Sequence, residues 1–119
     1  LVHTDEGDDT IQSDGGQDTI YGYAGANQVD SGDGDDQVTT TDGDDVINTG
    51  DGHDVVNSGE GNDSVIAGDG DDVVTSAKLK NGDSIDLGAG DDSISFQIND
   101  GNGTEFDSIA EFGSANFTN

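Results

Sequence analysis

The sequence predicts an all-β fold, a parallel solenoid built from nine-residue turn-and-strand units with two units to each coil. Three observations predict it. From Thr4 to Thr75, eight consecutive blocks of nine residues place an aliphatic side chain at one fixed position: Ile11, Ile20, Val29, Val38, Ile47, Val56, Val65 and Val74. Four residues before each stands a glycine: Gly7, Gly16, Gly25, Gly34, Gly43, Gly52, Gly61 and Gly70. Two residues before each stands Asp, or once Asn: Asp9, Asp18, Asn27, Asp36, Asp45, Asp54, Asp63 and Asp72. A fixed period with a fixed internal grammar marks a repeat architecture before any single residue is read.

With the positions of each block numbered from Thr4, glycine is fourth, the acid sixth and the aliphatic residue eighth. The run Asp-x-Val/Ile is long enough for a three-residue strand. Stretches such as Ser31-Gly32-Asp33-Gly34-Asp35 and Thr49-Gly50-Asp51-Gly52-His53 are small, polar and glycine-bearing, the composition that turns a backbone and tolerates positive φ. Alternation along a strand turns position eight inward and positions seven and nine to solvent. Position nine agrees, carrying Gln12, Tyr21, Asp30, Thr39, Asn48, Asn57, Ile66 and Thr75, most of them polar. Two blocks per coil stack the strands into two facing parallel sheets. One inward ladder is then Ile11, Val29, Ile47, Val65 and the other Ile20, Val38, Val56, Val74, β-branched residues that suit a pleated surface.

After Val74 the next aliphatic in phase is Ile85, eleven residues on, so the segment Ser76-Ala77-Lys78-Leu79-Lys80-Asn81 carries a two-residue insertion and both basic residues of the chain. Leu87 to Ser95 restores the unit. From Phe96 the repeat is gone, and Phe96, Phe106, Phe112 and Phe117 are all the phenylalanines present. Solenoids need a cover over the last open coil. The expected division is therefore a short preceding segment at 1–3, the repeat region at 4–95 with its insertion at 76–81, and a C-terminal capping segment at 96–119.

Composition narrows the function. The 119 residues carry 28% hydrophobic residues, with no Trp, Met, Cys or Pro, and 28 acids against two lysines give a net charge of −26. Such charge opposes compaction, so a cation has to enter for the chain to fold. It excludes a nucleic-acid partner, whose phosphates are held by Lys and Arg, and argues against an anionic membrane surface. No stretch is long enough for a membrane-spanning helix. The absence of cysteine removes disulfides and thiolate metal sites. The first residue is Leu1, with no basic and apolar leader after it, and the expectation is a segment of a longer protein with neighbouring domains.

The unit G-x-D-x-U, with a second glycine two positions earlier at Gly32, Gly50, Gly59, Gly68 and Gly88, resembles the RTX (repeats-in-toxin) nonapeptide G-G-x-G-x-D-x-U-x, a calcium-binding β-helix repeat. The resemblance runs from Thr4 to Ser95. It implies a right-handed parallel β-roll with calcium seated in the turns between neighbouring coils. Carried over by position, the side-chain ligands are Asp9, Asp18, Asn27, Asp36, Asp45, Asp54, Asp63, Asp72, Asp83 and Asp92. Backbone carbonyls of turn residues such as Gly32, Gly34, Gly50, Gly52, Gly59, Gly61, Gly68, Gly70, Gly88 and Gly90 complete the shell. Residues a coil apart would share an ion: Asp18 with Asp36, Asp36 with Asp54, Asp54 with Asp72, Asp72 with Asp92, and on the other edge Asp9 with Asn27, Asn27 with Asp45, Asp45 with Asp63, Asp63 with Asp83. That gives about eight candidate sites.

The residues agree with that implication on their own terms. Calcium is a hard cation that takes six to eight oxygens in flexible geometry, and turns of aspartate and exposed carbonyls offer only oxygen, whereas magnesium resists dehydration in such a cage. Eight divalent ions would reduce the net charge from −26 to −10. One aliphatic side chain per nine residues is too thin a core to offset the entropy of ordering the chain. Calcium binding and folding are accordingly expected to be one event. The chain departs from the family pattern at position one, where Thr4, Ser13, Ser31, Thr40, Thr49 and Ser58 replace glycine, and at position two, where Asp5, Asp14, Tyr23 and Thr41 do. The early turns, and the breaks at Asn27 and at Lys78 to Asn81, are expected to bind most weakly.

Competing readings fall away. An EF-hand fails because Gln37 and Val73 stand where the third ligand belongs in the runs starting at Asp33 and Asp69. His53 reads as an exposed turn residue, and Lys78 and Lys80 as relief for Asp83 and Asp86. With so many carboxylates, a glycosidase-like pair arises by coincidence and carries no weight, and the segment is read as non-enzymatic. The outward Thr39, Asn57 and Thr75 are too few for an ice-binding ladder. What the resemblance implies for function is a calcium-dependent folding module of a bacterial protein exported by a type I secretion system, an adhesin, toxin or exoenzyme, secreted or held at the cell surface. Phe106 to Phe112 resembles the post-repeat sequence of such proteins. The alternative is a carbohydrate- or alginate-binding module of a secreted polysaccharide-modifying enzyme.

Overall fold

A computed structural model of the chain describes residues 1–76 and 82–96. Eleven short strands follow one another with turns between them: β1 (Val2–His3), β2 (Thr10–Gln12), β3 (Thr19–Tyr23), β4 (Gln28–Asp30), β5 (Gln37–Thr40), β6 (Val46–Asn48), β7 (Val55–Gly59), β8 (Ser64–Ile66), β9 (Val73–Ser76), β10 (Ser84–Asp86) and β11 (Ser93–Phe96). Odd-numbered strands form one sheet in the order β1-β3-β5-β7-β9-β11, and even-numbered strands form the other, β10-β8-β6-β4-β2. Every pairing is parallel, and there is no helix among the described residues. This is the two-block coil that the period demanded.

The register follows from the aliphatic position. Ile11 pairs with Val29, Val29 with Ile47, Ile47 with Val65 and Val65 with Ile85. On the other sheet Ile20 pairs with Val38, Val38 with Val56, Val56 with Val74 and Val74 with Ile94. A one-residue slip would turn each of these outward, so the ladders fix the pairing. The core consists of these side chains together with Ala67 and Leu87, with Val2 and Ile94 packed against it at partial burial. Val2 and His3, which precede the nonapeptide blocks, already form β1 opposite Ile20 and Tyr21. The two extra residues after Val74 are absorbed without loss of register, since Ser84, Ile85 and Asp86 still pair with Ser64, Val65 and Ile66. Apart from Ser76 and the backbone of Phe96, the insertion at 76–81 and the capping segment at 96–119 lie outside the described residues.

Alternation reaches further inward than the aliphatic position alone. In the blocks around β4 to β9, three alternate residues are buried on each strand: the acid or Asn at position six, the aliphatic at position eight, and the first residue of the next block. Asp45, Ile47 and Thr49 are one such set and Asp54, Val56 and Ser58 another. Each sheet therefore presents an acidic, an aliphatic and a mostly hydroxylic ladder to the interior. Position-one hydroxyls donate to the carbonyl one coil on: Ser13 to Ser31 (2.9 Å), Thr40 to Ser58 (3.0 Å) and Thr49 to Ala67 (3.0 Å). Ser and Thr at these positions thus satisfy carbonyls of the next coil, whereas the buried Oγ of Ser58 and of Ser76 has no partner.

Candidate metal centre

The turns that bring the acids together are held by glycine for a steric reason. Gly34 and Gly52 have φ of 132° and 148°, and a Cβ on Gly52 would fall on the carbonyl oxygen of Gly34 in the coil below. The N–H of Gly34 donates to the carbonyl of Asp51 (2.7 Å) and that of Gly52 to the carbonyl of Asp69 (2.8 Å), so stacked turns are bonded backbone to backbone. Positive φ recurs at position two, from Gly32 (91°) to Gly68 (107°), and here Asp14 (67°) and Tyr23 (50°) adopt it without being glycine. Asp is among the side chains that tolerate this region, whereas a tyrosine seldom adopts it.

With the turns stacked, position six forms two rows, one on each edge. Along the edge that feeds the odd-numbered strands, the N–H of Asp18 donates to Oδ1 of Asp36 (2.8 Å), Asp36 to Asp54 (2.8 Å), Asp54 to Asp72 (2.9 Å) and Asp72 to Asp92 (3.0 Å). Along the other, Asp9 donates to Oδ1 of Asn27 (3.1 Å), Asn27 to Asp45 (2.8 Å), Asp45 to Asp63 (3.1 Å) and Asp63 to Asp83 (2.8 Å). All eight residue pairs expected from the sequence are direct neighbours.

Asp36, Asp45, Asp54, Asp63, Asp72 and Asp92 each accept through Oδ1 alone in this chain of bonds, while Asp9 and Asp18 begin the rows as donors. Oδ2 of Asp9, Asp36, Asp45, Asp54, Asp63, Asp72 and Asp92 is buried without a hydrogen-bond partner. A buried carboxylate oxygen with no donor is costly, and a row of them repels itself. The electrostatics record that cost. Burial pushes Asp63 up to about 6, with the charges of Asp45 and Asp83 adding to it and the hydrogen bond from the Asp45 N–H opposing. Burial likewise pushes Asp72 up to about 6, and raises Asp45 and Asp54 above the usual carboxylate range.

Among the described residues, no three His, Cys, Asp or Glu side chains converge on one point. The donors on offer are therefore carboxylate oxygens a coil apart plus turn carbonyls. Such an all-oxygen set, unprotonated and buried, suits a hard divalent cation of flexible coordination. The carbonyls of Gly32, Gly34, Gly50, Gly52, Gly68 and Gly70 each lie against the glycine one coil on, in the space between stacked turns.

Asn27 departs from the row. Its Oδ1 plays the same part as in the acids, but its Nδ2 donates to the carbonyls of Gly22 (3.0 Å) and Tyr23 (3.3 Å), and the side chain is satisfied. His53 is exposed in its turn. Its N–H donates to Oδ1 of Asp35 (3.0 Å), and its Nδ1 accepts from the N–H of Asp71 (3.0 Å), one rung of an outer ladder at position five. His3, to which the sequence assigned no role, stacks on Tyr21 with centroids 4.7 Å apart, and its Nδ1 lies 3.2 Å from the Tyr23 hydroxyl.

The position-one hydroxyls are the site-shaping residues that the sequence reading passed over. Their signal was present as the run of Ser and Thr at position one, which strand alternation places on the same face as positions six and eight. Comparison with known families gives a match to the model described as RTX calcium-binding nonapeptide repeat (4 copies), over residues 3–38 and 39–75. No curated protein and no solved structure matches the chain.

Proposed function

The chain belongs to the family of RTX calcium-binding nonapeptide repeats, and from that premise we propose that its two rows of aspartates take up calcium between the coils and that the chain folds as they do so. The observation that carries this is the set of buried, unpartnered Oδ2 atoms along both edges. In each acid pair one residue offers its Oδ2 and turn carbonyls offer theirs, while Oδ1 stays committed to the neighbouring N–H. Calcium in these positions supplies the positive charge that lets the carboxylates be buried ionised. Asp18, Asp36, Asp54, Asp72 and Asp92 serve one edge, and Asp9, Asp45, Asp63 and Asp83 the other.

The segment acts as a structural module with no catalytic part of its own. Among the described residues, no helix is long and apolar enough to cross a membrane. We place it in a bacterial secreted or cell-surface protein that leaves the cell unfolded by a type I route, where calcium is scarce, and folds outside, where it is plentiful. The net charge of −26 supports this, because it keeps the metal-free chain expanded.

Far-ultraviolet dichroism and native mass spectrometry in chelator and across a calcium titration test the proposal. The expected result is a coil-like spectrum in chelator, a cooperative gain of strand signal with calcium, and several ions bound per chain. Full strand content in excess chelator, or a single ion at saturation, would overturn it.

A further inference from the structure

Where Oδ2 of Asp9, Asp36, Asp45, Asp54, Asp63, Asp72 and Asp92 is buried without a partner, the corresponding side-chain atom of Asn27 is hydrogen-bonded twice. Oδ1 accepts from the N–H of Asp9, as each acid's Oδ1 accepts from the residue a coil before it. Since the Oδ1 contacts coincide through the repeat, Nδ2 stands where Oδ2 stands in Asp45 or Asp54. There it donates to the carbonyls of Gly22 and Tyr23, at positions one and two of its own block. Exchanging the two atoms would set an oxygen against two carbonyl oxygens and an NH2 against the N–H of Asp9, so the network admits one orientation. In the acid blocks the corresponding atom, Oδ2 of Asp45 or Asp54, is buried with no hydrogen-bond partner.

We propose that Asn27 is a built-in substitute for a cation: its side-chain amide bridges the turn at Gly22–Asn27 as a calcium ion bridges the equivalent turns, so this turn closes without metal. The inference rests on the calcium reading above and deepens it. Two neutral N–H donors take over the role of positive charge, and Asn27 is buried at no ionic cost. The neighbouring contacts agree. Tyr23, in the same turn, holds a positive φ, lies beside Tyr21 with centroids 6.4 Å apart, and has its hydroxyl within 3.2 Å of His3. Its carbonyl also accepts from the N–H of Thr41 (3.1 Å). The first coils of the roll are thereby tied by hydrogen bonds and rings where later coils have carboxylate pairs.

The test compares the wild-type chain with Asn27→Asp at saturating calcium by native mass spectrometry, and follows the Asn27 side-chain NH2 of the calcium-loaded wild type by NMR. The expected results are one more calcium ion per chain in the variant, and side-chain amide protons in the wild type that exchange slowly with solvent. A variant that binds the same number of ions as a calcium-loaded wild type would overturn the proposal while leaving the calcium reading intact. Rapidly exchanging Asn27 amide protons in the folded wild type would do the same, whether or not the variant folds. A wild type that binds no calcium would overturn both.

Discussion

The N–H of Asp54 donates to Oδ1 of Asp72 at 2.9 Å, while Oδ2 of the same carboxylate is buried with no partner. One side chain thus carries both halves of the design. Its first oxygen is a structural acceptor that ties coil to coil, and its second is a charge the fold cannot accommodate alone. Because Asp36, Asp54 and Asp72 each also donate their own N–H to the next residue of the row, the loss of any one of them is felt at two coil junctions.

Asp54→Ala and Asp54→Asn separate these halves. Alanine removes the acceptor for the Asp36 N–H (2.8 Å) along with the ligand oxygen, and a buried N–H left unpaired costs about 1–3 kcal/mol. Asparagine keeps Oδ1 and can place an NH2 on the turn carbonyls, as Asn27 does. Both variants should bind fewer calcium ions than wild type. In a calcium titration followed by dichroism, alanine should shift the folding midpoint to higher calcium by more than asparagine. Equal midpoints for the two would mean that Oδ1 contributes nothing to the stack.

Glycine at position four should matter according to what lies beneath it. Gly16 and Gly52 both have positive φ, 124° and 148°, but a Cβ on Gly16 meets nothing within 4 Å, while one on Gly52 falls on the Gly34 carbonyl. Gly16→Ala therefore carries backbone strain alone, about 1–3 kcal/mol. Gly52→Ala adds the separation of two hydrogen-bonded turns and should lose the calcium-induced strand signal to a much greater degree. Thermal melts of the two calcium-loaded variants check this, and similar melting temperatures would contradict the stacking geometry.

The coil length, the two ladders and the pairing of acids a coil apart were legible in the sequence because each depends on a strict period and on nothing else. Asn27 was legible as a break in charge, yet its meaning was not, since the direction of its amide depends on where the carbonyls of Gly22 and Tyr23 point. The hydroxyls of Ser13, Ser31, Thr40 and Thr49 looked like departures from glycine because the reading centred on turn conformation. Their burial depends on the strand direction carrying past position nine into the next block, and only the three-dimensional path shows the carbonyls they satisfy. Tyr23 was legible as a departure from glycine at position two, but its holding a positive φ (50°) all the same was not.

The pH dependence of the metal-free chain should run opposite to ordinary acid unfolding. Asp63 and Asp72 sit at about 6 in the fold against 3.8 for an exposed aspartate, and Asp45 and Asp54 are raised as well, in each case chiefly by burial. Between those values the folded state binds more protons than the unfolded chain, so stability falls as pH rises. The contribution is fully present below pH 3.8 and is lost as pH passes upward through about 6. In chelator, lowering pH from 7 toward 4 should therefore raise strand content, as protons neutralise the buried Oδ2 row and net charge falls together. With calcium present the same protons compete for the ligand oxygens, and the calcium midpoint should move to higher concentration below about pH 6. Dichroism with and without chelator across this range, at protein concentrations where sedimentation shows a monomer, reads both trends. Strand content that does not rise on acidification in chelator would count against the burial of the aspartates that the rows require.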